Sequence, residues 1–185
     1  ALIFDALEAG KVKMDDMVLV SENAARMGGS QIWLEPGEQM SLRDMVVAIA
    51  VGSANDACVA VAEHLYGTHE RFVQAMNQKA AELGMKDTNF VNAYGLDHPD
   101  HYTSAYDVAL MSRYAVRHPK LLEFTSIWIE YLRGGKLMQA NTNKLVRYYS
   151  GCDGLKTGWT NAAGHCLAAT AVRDGTRLIS VVMGA

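Results

Sequence analysis

No apolar run in the 185 residues approaches the roughly 18 needed to cross a membrane as a helix. No block of Lys and Arg occurs either. The 17 basic and 20 acidic side chains give a formal net charge of −3, which leaves nucleic acid no basic face to bind. Cysteine is scarce. Cys58, Cys152 and Cys166 are odd in number and show no Cys-x-x-Cys spacing, so neither a disulfide framework nor a zinc site is supported. Cys58 and Cys166 sit among Ala, Val and Leu and are expected to behave as small core residues. Histidines are scattered. His98 and His101 lie on either side of Pro99 in a polar stretch, where a loop role outweighs a metal-ligand role. No internal repeat, low-complexity segment or signal peptide is visible. The missing signal peptide excludes little, because the chain opens inside an element.

What remains is globular composition. Half of the residues are apolar and 20% are charged, enough for one domain, or one domain and a small lobe, with a real core. Leu2, Ile3, Ala6 and Leu7 share a helical face that ends at Gly10, with no N-cap in front. Met14 to Val20 reads as a short strand, and Ala24 to Gly37 as irregular. Ser41 starts a helix that buries Leu42, Met45, Val46, Ile49 and Ala50. A second apolar helix follows from Ala57 to Leu65, and Thr68 opens a third with Phe72, Val73, Met76, Ala80 and Leu83 inward. Met85 to Tyr102 is a long polar loop, of a length that is usually functional or packed on itself. Thr103 or Ser104 caps a further helix, and Pro119 starts a short one. Gly134-Gly135 and Asp174-Gly175 mark two hairpins, the second joining His165–Val172 to Arg177–Met183. Leu145 to Tyr149 reads as extended. The layout is α+β, a helical cluster packed on an antiparallel sheet.

Two stretches carry chemistry. Gly52-Ser53-Ala54-Asn55-Asp56 is a polar corner between two nearly all-apolar helices. Polar groups between buried helices cost free energy unless satisfied. Either Ser53 or Asn55 caps the second helix, or both project into a cleft. The other stretch is Asp153-Gly154-Leu155-Lys156-Thr157-Gly158-Trp159-Thr160. Lys156 offers a point charge to a carboxylate or phosphate. Thr157 offers a hydroxyl that donates and accepts, and Gly158 lets another backbone approach. Such a trio suits a strand edge that pairs with an extended peptide and grips its charged end. Alone, it is better read as a surface strand with an ordinary lysine and a glycine bulge.

Together, Ser53-Ala54-Asn55 and Lys156-Thr157-Gly158 resemble the second and third motifs of the penicillin-binding proteins and serine β-lactamases. The flanks narrow the resemblance: Gly28-Gly29-Ser30-Gln31-Ile32-Trp33-Leu34-Glu35-Pro36-Gly37-Glu38, Tyr94-Gly95-Leu96-Asp97-His98-Pro99 and Thr103-Ser104-Ala105-Tyr106-Asp107. With them the chain is similar, over nearly its whole length, to the low-molecular-mass D-alanyl-D-alanine carboxypeptidases. That family's first motif, Ser-x-x-Lys, carries nucleophile and base, and no serine of this chain has a lysine three residues on. The expectation is therefore a partial penicillin-binding, transpeptidase-like catalytic domain over 1–185. It would be truncated at both ends, lacking the N-terminal part with Ser-x-x-Lys and the C-terminal helix, and inactive by itself.

The resemblance implies a serine-type carboxypeptidase that removes the terminal D-alanine from peptidoglycan stem peptides through an acyl-enzyme, with β-lactams as inhibitors. It implies a proton relay at Ser53 and orientation of substrate by Asn55. Lys156 and Thr157 would hold the terminal carboxylate, Gly158 would admit the substrate, and the backbone N–H of Trp159 would serve as an oxyanion donor. No metal or cofactor is needed. The expected location is extracytoplasmic, with membrane anchoring through a C-terminal segment absent here. Two alternatives stay open: a β-lactamase or esterase of the same fold, and a non-catalytic wall-binding or β-lactam-sensing module.

Overall fold

Two adjoining helices form the centre of the molecule in a computed structural model that describes all 185 residues. Helix α1 is Leu2–Glu8, and strand β1 (Met17–Leu19) is followed by the single turn α2 (Glu22–Ala25). Strand β2 (Gln39–Ser41) runs directly into α3 (Leu42–Ala50), and α4 (Asn55–Tyr66) follows the polar corner. Ser41 caps α3 as its sequence predicts, its hydroxyl accepting from the Asp44 N–H at 3.1 Å. Leu42, Met45, Val46, Val47, Ala48 and Ala50 of α3 are buried against Ala57, Val59, Ala60, Val61 and Ala62 of α4 and the β1–β2 ribbon. Each large side chain so buried contributes about 1.5–3 kcal/mol. Ile49 departs from expectation. It is only partly buried and lines the cleft described below.

In α1 the fully buried residue is Phe4, while Ile3 and Leu7 pack on the core from its edge. Helix α5 (His69–Glu82) is capped by Thr68 and buries Val73 and Ala80, with Met76 facing the cleft. The loop that follows packs on its own side chains. Asn77 both donates to the Phe90 carbonyl (2.7 Å) and accepts from its N–H (2.8 Å). Asn92 Oδ1 accepts from Gly95 at 2.6 Å while its amide donates to the Leu96 carbonyl at 2.9 Å. Helices α6 (Ala105–Ala115), capped by Ser104, and α7 (Pro119–Thr125) complete the cluster.

Strands β3 (Ile129–Leu132) and β4 (Leu137–Ala140) form the first hairpin. Arg133 at its tip ties it to the irregular 28–38 segment, donating to the carbonyls of Ile32 (2.9 Å) and Trp33 (3.1 Å) and to the Glu38 carboxylate (2.9 and 3.0 Å). Leu145 to Tyr149 is not extended. Leu145–Tyr148 forms one helical turn, α8, because Asn143 Oδ1 takes the Leu145 N–H at 3.1 Å and starts a turn. The strand expected over 14–20 is likewise confined to Met17–Leu19.

The C-terminal third is an antiparallel sheet in the order β5 (Cys152–Thr160), β6 (Gly164–Arg173), β7 (Thr176–Val182). The β6–β7 turn is Asp174-Gly175, both at positive φ (49° and 76°), as a tight right-twisted hairpin requires. Strand β5 pairs with β6 alone, so its other edge is free. Its start is pinned from two sides. Arg177 grips the Asp153 carboxylate with two bonds of 2.8 Å, and the Thr125 hydroxyl donates to the Asp153 carbonyl at 2.7 Å.

Candidate active-site cleft

Neither Ser53 nor Asn55 caps α4. Ala54 occupies the N-cap position and makes no side-chain cap bond, which removes the purely structural account of the corner. Ser53 instead adopts φ +61°, a left-handed conformation that costs a non-glycine residue about 1–3 kcal/mol. Asn55 is turned onto the 28–30 segment. Its N–H donates to the Ser30 carbonyl and its side-chain amide to the Gly28 carbonyl, both at 2.8 Å. Gly29 has to be glycine twice over: its φ is +78°, and a Cβ there would lie 2.7 Å from the Asn55 amide nitrogen.

Below Asn55, the fully buried carboxylate of Asp56 accepts from the N–H groups of Ile32 (3.1 and 3.2 Å), Leu34 (3.1 Å) and Ala57 (2.9 Å). Asp56 lies in the stretch Ala54-Asn55-Asp56-Ala57, but its role as the anchor of the 32–34 segment was not read from sequence. The signal available was a carboxylate directly ahead of the apolar run Ala57–Ala62.

Facing the corner across a cavity of about 1360 Å³ is the free edge of β5. Ser53, Asn55, Lys156, Thr157, Gly158 and Trp159 all line this one cavity, so the six residues singled out from sequence are brought together. The Asn92–Asp97 loop closes its far side, carrying Tyr94 and Leu96. A hydrogen bond of 2.6 Å from the Thr160 hydroxyl to the Asp97 carboxylate fastens that loop to the end of β5. Cys58 and Cys166 are not core residues. Both are partly exposed and line the cavity, because each occupies the cleft-facing side of its element. His98 and His101 serve the loop, their Nδ1 atoms accepting from the N–H groups of Asp100 (3.1 Å) and Val91 (3.2 Å).

Lys156 supplies a cation without a counter-ion. Its ammonium donates to the Thr157 carbonyl at 2.9 Å, and burial lowers its pKa from 10.5 to about 8. Neighbouring Cys58 does not neutralise it: although the residue reaches the cavity wall, desolvation of its thiol pushes the pKa up to about 12 and keeps it uncharged. Beyond Lys156 the strand is open. A Cβ added at Gly158 would meet only Cys166 Cβ at 4.0 Å, so the fold itself does not require glycine there. Trp159 stands 60% exposed at the mouth.

This geometry and the sequence find close counterparts. The family profile described as D-alanyl-D-alanine carboxypeptidase, peptidase S11, matches residues 1–185. The chain belongs to this carboxypeptidase family. It is 49% identical over 187 residues to the D-alanyl-D-alanine carboxypeptidase DacF of Bacillus subtilis, covering all of this chain and 48% of that protein. The structure of penicillin-binding protein 6B from Escherichia coli superposes with a TM-score of 0.92 at 38% identity, covering 100% of this chain and 60% of that one. Penicillin-binding protein D2 from Listeria monocytogenes, in its ampicillin-bound form, gives a TM-score of 0.86 at 32% identity over 99% of this chain and 74% of that one. The α+β arrangement of a carboxypeptidase of this family is thus the observed fold. The chain spans about half the length of the curated relatives it matches.

Proposed function

We propose that this chain forms the substrate-gripping part of a serine-type D-Ala-D-Ala carboxypeptidase. The observation that carries the reading is the half-buried Lys156 ammonium, which has no counter-ion and is set beside a free strand edge, across one cleft from Ser53. A cation desolvated without a partner is unfavourable until an anion arrives. A peptide laid along β5 as an added strand would bring its terminal carboxylate to Lys156 and Thr157. Gly158 would leave room for the incoming backbone.

The reaction is an acyl transfer. A serine oxygen attacks the carbonyl between the two D-alanines, and a nearby lysine takes its proton. The C–N bond breaks, and the departing amine receives a proton through Ser53, a hydroxyl placed for relay. Water then hydrolyses the acyl-enzyme and releases the shortened stem. Asn55 orients the lysine and the substrate amide. The Trp159 N–H is one of two oxyanion donors, a device worth about 3–4 kcal/mol per donor. The 185 residues contain no Ser-x-x-Lys, so in this reading nucleophile and base come from outside them and the chain alone is inactive. The substrate is the peptidoglycan stem peptide ending in D-Ala-D-Ala, which places the protein on the outer side of the cytoplasmic membrane. β-Lactams would occupy the same cleft, in keeping with the ampicillin-bound relative. No helix of the chain is long and apolar enough to cross a membrane, and any membrane anchor would lie in a further segment.

The test is to incubate the full-length protein with a peptide ending in D-Ala-D-Ala and measure free D-alanine. One equivalent per peptide is expected, blocked by prior treatment with a penicillin. A folded protein that releases none would refute the reading.

A further inference from the structure

Asn141-Thr142-Asn143 lies between the corner and β5, and neither motif assigns it a role. Asn141 and Asn143 are buried, at 4% and 2% exposure, whereas Thr142 between them is exposed and lines the cleft. The two asparagines are fully engaged inside the fold. The Asn141 amide donates to the carbonyls of Thr125 (3.1 Å) and Ile127 (2.7 Å), and its Oδ1 accepts from the Asn143 N–H at 2.9 Å. The Asn143 amide donates to the Gly154 carbonyl at 3.2 Å, and its Oδ1 accepts from the Leu145 N–H at 3.1 Å. Buried amides satisfied in this way hold their backbone in one arrangement.

Thr142 is therefore presented to the cleft from a rigid support. Its N–H donates to the Val51 carbonyl at 3.3 Å, next to the corner that carries Ser53. Its hydroxyl accepts from the Thr157 hydroxyl at 2.7 Å. One residue thus links the corner to the lysine-bearing strand.

The chemistry follows from counting protons. Two hydroxyls hold two protons. One closes the Thr157–Thr142 bond, and the other is left on Thr142 to be donated. We propose that Thr142 is a specificity-determining residue of the cleft: with Thr157 it forms a hydroxyl pair whose spare proton is donated to the terminal carboxylate held beside Lys156. The inference rests on the carboxypeptidase reading above and adds to it a residue outside both motifs. A bound carboxylate polarises the chain of two hydroxyls, so each bond strengthens the other. In this arrangement Thr157 acts on the anion through Thr142; without the Thr142 oxygen, Thr157 must turn its one proton to the anion from a rotamer that nothing holds.

The test compares parent, Thr142→Val and Thr142→Ser in the full-length protein, on a D-Ala-D-Ala peptide and on its C-terminal amide. Thr142→Val should lower kcat/KM for the acid about three- to tenfold, chiefly through KM, the size expected for one lost hydrogen bond. The amide should be unaffected, and Thr142→Ser should restore the acid. Combined with Thr157→Val, the loss should be smaller than the product of the two single losses. Should Thr142→Val fail to fold, Thr142→Ala should show the same split between acid and amide. Equal losses on both substrates, no rescue by serine, or an unchanged Thr142→Val would overturn the proposal and leave the carboxypeptidase reading standing. A parent that releases no D-alanine from either peptide overturns that reading, and the proposal with it.

Discussion

Asp56 accepts the Ile32 N–H with both carboxylate oxygens, at 3.1 and 3.2 Å, across the interface between α4 and the 28–38 segment. The same carboxylate takes the Leu34 and Ala57 N–H groups. It thereby fixes the segment whose Gly28 and Ser30 carbonyls hold Asn55. Asp56→Ala would strand three buried donors, each worth about 1–3 kcal/mol when unsatisfied. The expected destabilisation is at least about 3 kcal/mol by denaturant melting, with Asp56→Asn intermediate because one acceptor oxygen survives. A loss under about 1 kcal/mol would show that the 32–34 backbone finds water instead.

Gly29 and Gly158 should respond to alanine in opposite ways. At Gly29, φ +78° and the Asn55 amide 2.7 Å from a Cβ make Gly29→Ala destabilising as well as harmful to activity. At Gly158 a Cβ finds open space, so Gly158→Ala should keep its melting temperature while D-alanine release falls. A Gly158→Ala protein with parental activity would mean that no substrate backbone passes close to this strand.

Much of this was legible in the sequence. Ser41, Thr68 and the Thr103-Ser104 pair announced three helix starts, the last realised by Ser104, because a hydroxyl before an apolar-periodic run caps the free N–H groups. Asp174-Gly175 announced the final hairpin, and the Ser53 and Lys156 motifs announced the cleft. Leu145–Tyr148 misled because Val and Tyr favour strands, while its structure depends on the Asn143 side chain. Cys58 and Cys166 misled because apolar neighbours report the company of an element and not which side faces a cavity. The Thr142–Thr157 and Asp97–Thr160 bonds join segments distant in the chain, and no local pattern encodes such pairings.

Lys156 sets a pH dependence. Burial lowers its pKa to about 8 in the folded chain, against 10.5 ordinarily. Between those values the unfolded chain binds more protons than the folded one, so this residue's contribution to stability rises with pH across the window. Below pH 8 the ammonium is charged in both states and the burial penalty is constant. Carboxylate capture runs the other way, since it needs the ammonium. KM for a D-Ala-D-Ala peptide should therefore rise as pH passes about 8. Denaturant melts from pH 7.5 to 10.5, parent against Lys156→Met, would isolate the stability change. Parallel curves for the two proteins would contradict the lowered pKa.

The most direct test of the account is kcat/KM for Lys156→Ala in the full-length protein, on a D-Ala-D-Ala peptide and on its C-terminal amide. A charge-assisted hydrogen bond is worth roughly 1.5–3 kcal/mol, so the acid should lose about ten- to a hundredfold or more. The amide, already a poor substrate for the parent, should lose little further, because both changes remove the same contact. Equal proportional losses on acid and amide, together with a lowered melting temperature, would contradict the carboxylate grip and leave Lys156 a structural residue.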